Sequence, residues 1–378
     1  NLAGHHRLIN DLDATSDGYE KLASPTAYYG KGWQPIGTVD KPFTGTFDGQ
    51  GHEIRDLFIN RPTVSDVGLF AVAESPSSIE NVGVVNASVA GDQFVGGLVG
   101  NKGYGSVTNC YFSGGVAGTD FVGGLLGGCQ NWVTVSNCYA TGSVIGSHYV
   151  GGLMGGDLWN STVTDSHFTG SVTGEAPVGG LVGENSGTVS NSYSVSNVTG
   201  VEGGGLVGSN SGNVSNSHYS YNEVFINGEN IITIGALSDE DFHEWLANDK
   251  SLDVNERLLQ EDSYYMVNNV TDFKQLLAFG QDGSLKFRLK NDLNLAGEPN
   301  FYIPYLAAEF DGNAHNISNL SFNFDFISNV GLFGYLAYGA KVSEVGVENV
   351  NITGHWCVGG LTGWNSGNVS NSYSTGSL

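Results

Sequence analysis

The chain has 378 residues, including 57 glycines and 8 prolines, and 14% of its residues are charged. This composition, with 11% aromatic residues, is typical of an ordered, turn-rich β protein and argues against disorder. Fourteen lysines and arginines against 38 aspartates and glutamates give a net charge of −24, which argues against nucleic acid and anionic lipid as partners. No run of 18 apolar residues is present, so no membrane insertion is predicted.

Residues 1–66 are predicted to be the leading segment of a first solenoid module. They contain "RLINDLD" at 7–13 and "GTFDGQGHEIRDLFI" at 45–59, and both phrases have a second copy later in the chain. A long duplication of this kind is the signature of a repeat architecture.

Residues 67–227 contain a repeated phrase with Gly-Gly-Leu at its centre. Its first glycine stands at positions 96, 123, 151, 179 and 204, which gives spacings of 27, 28, 28 and 25 residues. Each unit reads as three short strands separated by Gly or Asn/Ser corners, as in "VGGLVG", "GTVSNSYS" and "SNVTG". One such coil cannot bury its apolar side alone, so the coils are expected to stack with parallel strands about 4.8 Å apart.

Residues 228–285 are predicted to be a helical insertion or linker. The stretches "SDEDFHEWLANDK" and "VTDFKQLLAFG" place apolar residues at helical spacing behind Ser238 and Thr271, two acceptable N-caps. The sequence therefore predicts two short helices between the repeated parts.

Residues 286–378 form a second module. "AEFDGNAHNISNLSF" at 308–322 matches 45–59 at an offset of 263 residues, and this offset continues through "VGLF" and "VGGL". The second module has one Gly-Gly-Leu coil where the first has five. The predicted fold is all-β, a parallel β-solenoid (a right-handed β-helix or a β-arch stack) with coils of about 25–28 residues.

The phrase "FVGGLVG" followed by "NCYFSG" or "NSYS" resembles the GLUG motif, the glycine-rich repeat of bacterial and archaeal surface proteins. These proteins include large adhesins and the amino-terminal regions of some immunoglobulin A peptidases, which keep their zinc motif in a separate region. The resemblance implies a right-handed β-helical or related solenoid and an extracellular location, and it does not imply catalysis. An exported, acidic, cysteine-containing repeat protein of this size also resembles, more weakly, the tubular sheath proteins of methanogenic archaea.

Alignment of the coils places polar and aromatic side chains in columns. Stacked amides can hydrogen-bond along the solenoid axis, so an asparagine column is predicted to be a stacking ladder in preference to a polar binding row. It contains Asn109, Asn137, Asn191, Asn216 and Asn371, with Asp165 at its third place. Two residues further on is a column of tyrosines and histidines, whose stacked rings are predicted to hold neighbouring coils together. An exposed aromatic row would also suit the binding of a saccharide. This column contains Tyr111, Tyr139, His167, Tyr193, His218 and Tyr373.

The four cysteines are disulfide candidates. Cys110 and Cys138 occupy one column, and coils stacked in register would place their Cα atoms about 4.8 Å apart, inside the range that a disulfide tolerates. The sequence favours an intramolecular bond between them, which leaves Cys129 and Cys357 for contacts between subunits. The alternative is that some of the four are small apolar residues, and three intramolecular connectivities are open. The other places of the column hold Ser166, Ser192, Ser217 and Ser372.

Nine Asn-x-Ser/Thr triplets are glycosylation candidates if the protein is exported, although such triplets also arise by chance in a repeat rich in these residues. They begin at Asn86, Asn160, Asn197, Asn213, Asn269, Asn316, Asn319, Asn351 and Asn368.

No catalytic, cofactor or metal template is found in the sequence. His243 begins "HEWLA", which lacks the second histidine of a zinc protease, and no Cys-x-x-Cys pair is present. Some carboxylates and imidazoles recur at equivalent places in both modules, which indicates turn chemistry rather than catalysis. These residues are Asp11, Asp48, His52, Asp292, Asp311 and His315.

The sequence favours a structural protein of the cell exterior that binds copies of itself head-to-tail or laterally into a sheath or wall layer. Stacked strand edges and disulfides would hold the copies together, since neither end shows the polar cap of a finished solenoid. The alternative is an adhesin stalk or a binding region for host protein or glycan, belonging to a longer protein. A glycan-active enzyme is the third reading and requires a cleft lined by carboxylates.

Overall fold

A computed structural model describes residues 1–157 and 159–378 of the chain. Strands account for 47% of the residues and helices for 8%. The residues form two compact units. Unit 1 comprises Asn1–Ser217 and Val224–Glu229, and unit 2 comprises His218–Glu223 and Asn230–Leu378.

The described residues of unit 1 form short strands, one helical turn α1 (Glu20–Ala23) and one 3-10 turn (Ala27–Gly30). Its first strands are β1 (His5–Arg7), β2 (Thr46–Asp48), β3 (Glu53–Arg55), β4 (Phe58–Asn60), β5 (Phe70–Ala73), β6 (Ser78–Glu80), β7 (Gly83–Ala90), β8 (Gln93–Gly96), β9 (Val99–Thr108), β10 (Tyr111–Ala117), β11 (Asp120–Gly123) and β12 (Leu126–Ser136). The strands that follow are β13 (Tyr139–Ile145), β14 (His148–Gly151), β15 (Met154–Asp157), β16 (Thr162–Thr164), β17 (His167–Thr173), β18 (Val178–Gly179), β19 (Val182–Asn185), β20 (Thr188–Ser190), β21 (Tyr193–Thr199), β22 (Gly203–Gly204), β23 (Val207–Asn210) and β24 (Asn213–Ser215).

These strands form three parallel sheets of twelve, seven and five strands. The chain visits the sheets in turn, so that β8, β9 and β10 belong to three different sheets and β11, β12 and β13 repeat the sequence of visits one coil later. Each coil is therefore three-sided, which distinguishes it from a flat β-arch. The predicted parallel β-solenoid is confirmed.

The register between coils follows the Gly-Gly-Leu spacing. Gly123 pairs with Gly96 on the preceding coil and with Gly151 on the next, and the series continues to Gly179 and Gly204. Val122, Val150 and Val178, which precede these glycines, are wholly buried in a column along the core. Burial of each such side chain contributes about 1.5–3 kcal/mol relative to its exposure, which fixes the register.

The first glycine of the phrase is required because the backbone folds back on it. A Cβ on Gly123 would lie 2.1 Å from the carbonyl oxygen of Leu126, and one on Gly151 would lie 2.0 Å from that of Met154. No side chain fits in such a space, so the same corner demands the same residue in every coil.

Unit 2 contains two strands near its start, four helices and a second set of coils. Its helices are α2 (Asp239–Ala247), α3 (Val254–Arg257), α4 (Val270–Lys274) and α5 (Leu276–Phe279). Its strands are β25 (Tyr219–Ser220), β26 (Ala236–Leu237), β27 (Gln260–Glu261), β28 (Tyr264–Val267), β29 (Lys286–Leu289), β30 (Leu293–Asn294), β31 (Ile303–Leu306), β32 (Glu309–Asp311), β33 (Asn316–Ser318), β34 (Ser321–Asn323), β35 (Phe333–Leu336), β36 (Lys341–Ser343), β37 (Gly346–Thr353), β38 (Thr362–Asn365), β39 (Asn368–Ser370) and β40 (Tyr373–Ser377).

The duplication is visible strand by strand. Strands β2 to β7 and β32 to β37 begin and end at residues separated by 263 positions, for example Thr46–Asp48 and Glu309–Asp311. Their cores also correspond, since Phe47 packs on Phe70 at 5.2 Å between ring centroids and Phe310 packs on Phe333 at 5.1 Å. The two modules predicted from the sequence are thus repeated in three dimensions.

The helices of unit 2 begin at side-chain caps. Ser238 caps α2 as expected, because its side chain accepts the Asp241 N–H. The second cap is Asn269 instead of Thr271, because the Asn269 side chain accepts the Asp272 N–H and the helix already begins at Val270. None of the helices in the described ranges is long and apolar enough to span a bilayer.

Candidate functional site

The asparagine column marks a sharp corner of each coil. Asn109, Asn137, Asp165, Asn191 and Asn216 all adopt left-handed backbone conformations, with φ between 44° and 54°. Asparagine and aspartate tolerate this conformation better than other residues that carry a Cβ. The left-handed backbone conformation of the corner therefore explains why asparagine or aspartate occupies this column. The alignment of the coils did not reveal this conformational requirement.

The amides of this column also bond between coils. Asn109 Nδ2 donates to Asn81 Oδ1 at 3.0 Å, and Asn216 Nδ2 donates to Asn191 Oδ1 at 2.8 Å. Asn81, which the sequence comparison missed, lies on the coil before the first Gly-Gly-Leu and shares the same left-handed conformation. Asn371 of unit 2 adopts it as well.

Two rows of rings stack along unit 1. In the predicted aromatic column, Tyr111, Tyr139, His167 and Tyr193 lie in parallel with centroids 4.9, 5.1 and 4.6 Å apart. His218 belongs to unit 2, where it is buried and meets Trp245 edge-on at 5.0 Å, and burial lowers its pKa to about 3. Tyr373 donates to Glu348 Oε1 at 2.7 Å on the preceding coil of unit 2.

The second row of rings contains Phe94, Phe121 and Tyr149, with centroids 4.8 and 4.6 Å apart. All three have φ between 53° and 55°, which is unusual for bulky residues. The sequence signal for this row was the aromatic residue before each Val-Gly-Gly, although it did not indicate stacking. Cys357 takes the same place in unit 2, with the same left-handed conformation, and it is exposed.

The column of cysteines and serines forms a buried hydrogen-bonded spine inside unit 1. Each hydroxyl or thiol accepts the amide N–H of the preceding coil, at 3.4 Å for Cys110 N to Cys138 Sγ and 3.1 Å for Cys138 N to Ser166 Oγ. The same geometry recurs at Ser192 and Ser217. Each group also donates to the carbonyl two residues before it, as Cys138 Sγ does to Ser136 O at 3.2 Å. The two cysteine thiols thus make the same hydrogen bonds as the serine hydroxyls of the column.

No disulfide joins the four cysteines in the structure, all of which lie in the described ranges. Tyr111 and Tyr139, which follow Cys110 and Cys138, pair directly between coils, so the two cysteines lie on adjacent coils. A disulfide between them stays a prediction. Cys129 is wholly buried with its Sγ 3.4 Å from Met154 Sδ. The expected contact of Cys129 with another subunit is therefore wrong, because the sulfur does not reach the surface. Cys357 is exposed.

The duplicated carboxylates hold turns in both modules. Asp11 Oδ1 accepts the Glu53 N–H at 3.1 Å and lies 3.0 Å from His52 Nδ1. Asp292 repeats this arrangement with Asn316 and His315, at 3.0 Å in each case. The backbone N–H bond, with the imidazole bond behind it, lowers the pKa of both carboxyls. Asp48 and Asp311 likewise accept the N–H of the residue two places on, at 2.9 and 2.8 Å.

A buried cation is a feature that sequence inspection missed. Lys102 is fully buried in β9, and its Nζ donates to Ser77 Oγ at 2.8 Å and to Ser77 O at 3.3 Å. It also donates to the carbonyl oxygen of Tyr104. Burial lowers its pKa to about 8. The sequence around Lys102 did not indicate that this lysine is buried, since lysines are rarely fully buried.

The sequons differ in accessibility. Asn316 and Asn319 are half-buried, and their amides donate to Glu348 at 3.3 Å and to Asn294 at 2.8 Å. Asn269 is exposed but caps α4. The exposed sequon asparagines are Asn86, Asn160, Asn197, Asn213, Asn269, Asn351 and Asn368.

The coil formed by β38, β39 and β40 is the most exposed part of unit 2. Each of these strands forms the outer edge of its sheet. Val369 is half-buried, whereas Val342, its partner on the coil beneath, has no exposed surface. Trp364 and Tyr373 are each 49% exposed. The coil thus presents apolar side chains and unpaired backbone groups together.

Three exposed aromatic side chains cluster at one corner of unit 1. Tyr104 and Trp132 occupy equivalent places on neighbouring coils, since the residues on either side of them pair. The backbone N–H of Trp132 donates to the backbone carbonyl of Trp159 on the third coil at 3.1 Å. Exposed fractions are 45%, 65% and 62% for Tyr104, Trp132 and Trp159.

Part of this chain is similar in sequence to two curated proteins, and its fold is similar to that of one solved structure. Halomucin of Haloquadratum walsbyi is 36% identical over 114 residues, which are 29% of this chain and 1% of halomucin. A protein of Evansella cellulosilytica, provisionally named a Gly-rich membrane protein, is 35% identical over 113 residues, which are 28% of this chain and 12% of that protein. The chain thus spans a small share of these relatives.

A solved structure from Bacteroides ovatus, provisionally identified as an immunoglobulin A1 protease, superimposes with a TM-score of 0.51. It is 23% identical and covers 68% of this chain and 83% of its own. At that identity the likeness shows the solenoid fold alone. The family model of the GLUG motif matches residues 354–378, the coil of β38 to β40. The chain is therefore a β-solenoid protein that carries the GLUG motif.

Proposed function

We propose that this chain is a cell-surface structural protein whose coils bind those of further copies by strand addition. The GLUG motif and the relatives named halomucin and Gly-rich membrane protein support a surface location. The high acidity of the chain suits a solvated outer surface. Self-association is the part of the proposal that rests on this chain's own structure.

The exposed coil of unit 2 is the observation that carries this proposal. Natural sheets protect their edges with charges, prolines or bulges, because an unprotected edge templates the addition of another strand. Residues 349–378 contain no Asp, Glu, Lys, Arg or Pro, in a protein whose net charge is −24. Three edge strands free of charged residues and prolines, above a half-buried Val369, suit the addition of one more coil.

A second copy of the chain is the proposed occupant of this edge. Parallel stacking continues in one direction, so the contact joins unlike surfaces and propagates head-to-tail. The first strand, β1, also lies at the outer edge of its sheet and is mostly exposed in unit 1. Cys357 stands exposed beside the open coil, where a disulfide with another copy would lock the contact.

Sedimentation velocity and electron microscopy over a range of protein concentrations test the proposal. Wild-type protein is expected to form larger species as concentration rises. The Val369→Lys variant is expected to stay monomeric, because it places a charge on the edge strand β39, where the second copy would add its coil. Ile145→Lys is the matched control, since Ile145 is 50% exposed on the inner strand β13. Both variants should retain the wild-type circular dichroism spectrum.

Monomeric wild-type protein at every concentration would contradict self-assembly. So would a Val369→Lys variant that assembles as the wild type does. A longer chain whose own next coil covers β38 to β40, and which remains monomeric, would show that the edge continues the solenoid within one molecule.

A binding module for neutral glycan is the second candidate function, and the corner of Tyr104, Trp132 and Trp159 favours it. Aromatic faces stack on the apolar faces of sugar rings, and coils lie about 4.8 Å apart, a step similar to that between sugars in an extended β-1,4-linked chain. The acidity of the chain disfavours acidic glycans.

Cellohexaose and chitohexaose, titrated with tryptophan fluorescence as the readout, test this second candidate. Binding should weaken about tenfold or more in Trp132→Ala, whereas Trp356→Ala, a change at a tryptophan 63% exposed in unit 2, should leave it unchanged. Absence of saturable binding to either oligosaccharide would exclude the proposed glycan class.

A further inference from the structure

Glu223, Asp239 and His243 form a convergent group of possible metal ligands in unit 2. One ligand atom from each lies within 4.8 Å of the other two. His243 Nε2 is 3.6 Å from Glu223 Oε1, and its Nδ1 is 3.2 Å from Asp239 Oδ1. All three side chains are exposed, so small rotations suffice to bring their donor atoms to the distances of a metal site.

The backbone around this group is held by local structure. Asp239 and His243 stand one turn apart at the start of α2, and the Asp239 N–H donates to the side chain of Asn222 at 3.0 Å. Asn230 Nδ2 donates to the carbonyl oxygens of Tyr221 and Asn222, at 2.8 and 3.1 Å, and so fixes the segment that leads to Glu223. The three ligands therefore come from elements that are tied together.

Hydrogen bonding also selects the histidine nitrogen. His243 Nδ1 lies 2.9 Å from the carbonyl oxygen of Asp239, which can only accept, so Nδ1 carries the proton. The lone pair is then on Nε2, the nitrogen that faces Glu223. The Asp239 carboxylate contacts the Nδ1 side of the ring, so it reaches an ion on Nε2 by rotation of its side chain. A ligating histidine that donates its other N–H to a carbonyl is the usual arrangement in metal sites.

We propose that Glu223, Asp239 and His243 bind one divalent transition-metal ion, with Zn²⁺ as the best fit. One imidazole and two carboxylates are a ligand set that zinc accepts, whereas Ca²⁺ and Mg²⁺ prefer oxygen alone. Two carboxylates offset the charge of the ion, and Glu240 and Asp241 add negative charge in the same helical turn. Water completes the coordination. This inference is independent of the proposed assembly.

His148 provides a matched control on unit 1. It is 51% exposed and also contacts two carboxylates, Asp120 at 2.9 Å from Nδ1 and Glu175 at 3.7 Å from Nε2. In the part of the chain that the structure describes, the ligand atoms of these three do not all lie within 4.8 Å of one another, as those of Glu223, Asp239 and His243 do. If exposed histidine–carboxylate contacts alone attracted zinc, both sites would bind it.

Calorimetric titration with zinc chloride, in a Cys357→Ser background that removes the exposed thiol, tests the site. One ion per chain is expected, with affinity reduced about tenfold or more by His243→Gln and by Glu223→Gln, and unchanged by His148→Gln. Cobalt(II) absorption in the visible range supplies a second readout of coordination. Circular dichroism shows whether each variant is folded. Absence of saturable binding, or equal binding by wild type and His243→Gln, would overturn the proposal.

Discussion

The amide N–H of Cys110 donates to the sulfur of Cys138 on the next coil, across 3.4 Å. Below it, the Cys138 N–H donates to Ser166 Oγ in the same way, at 3.1 Å. Sulfur and oxygen are thus interchangeable acceptors at successive places of one buried spine.

Replacing Cys138 by serine or by alanine should have different effects. Cys138→Ala leaves the buried Cys110 N–H without an acceptor, and its free energy of unfolding should fall by about 1–3 kcal/mol. Cys138→Ser keeps an acceptor and should retain most of the wild-type stability. Urea unfolding of both variants under reducing conditions measures the difference, and equal stability of the two would show that the spine bond is unimportant.

Thiol reactivity should separate one cysteine from the other three. Cys357 is exposed, whereas Cys110, Cys129 and Cys138 are buried, so a maleimide should label one site on the folded, reduced protein and four after unfolding. Mass spectrometry of peptides identifies the labelled residue. A peptide linking Cys110 to Cys138 in protein that was never reduced would confirm the predicted disulfide, and labelling of Cys129 in the folded state would contradict its burial.

Lys102 should make stability depend on pH in the alkaline range. Burial lowers its pKa to about 8 in the folded protein, and the unfolded chain holds the proton up to about pH 10.4. Protonation therefore opposes folding below pH 8, and this penalty, about 3 kcal/mol, is relieved as pH rises from 8 to 10.4.

Comparison with Lys102→Met isolates this contribution, because the tyrosines titrate alike in both proteins. The free energy of unfolding of the wild type minus that of the variant should rise between about pH 8 and pH 10. A difference that is flat over this range would show that Lys102 keeps its proton in the folded state.

A methyl group at the corner glycine should be poorly tolerated. In Gly123→Ala the new Cβ would lie 2.1 Å from the carbonyl oxygen of Leu126, so the corner must shift, at a cost of about 1–3 kcal/mol. Gly115→Ala is the control, because no atom lies within 4 Å of its Cβ position. Thermal unfolding compares the two, and similar melting temperatures would contradict the role assigned to the corner.

Sequence periodicity predicted the fold well because the same local requirement recurs in every coil. The pairing of Gly96 with Gly123 and Gly151 follows directly from the spacing of the phrase. The 263-residue offset likewise predicted the correspondence of β2 with β32. Each coil requires the same residue at the same corner. Residues in one column of the coil alignment are therefore neighbours on successive coils of the structure.

Features that occur once were not predictable in this way. Lys102 is buried because Ser77 and Tyr104 present oxygen atoms to its amine, and the described residues include no second fully buried lysine. The ligand group of Glu223, Asp239 and His243 joins a helix to a turn sixteen or more residues earlier, with no motif spacing. Asn269 caps α4 in place of Thr271, and the sequence did not decide between them because asparagine and threonine are both acceptable N-caps.

The corner at Gly123 has an evolutionary consequence. Gly123 and Gly151 occupy the same backbone corner one coil apart, and each coil bonds to its two neighbours. Loss of residues 124–151 from the gene would join two equivalent corners and leave a shorter but continuous stack, and duplication of the same stretch would lengthen it. The protein can therefore change its length in whole coils, and the five coils of one module beside the single coil of the other fit this mode of growth.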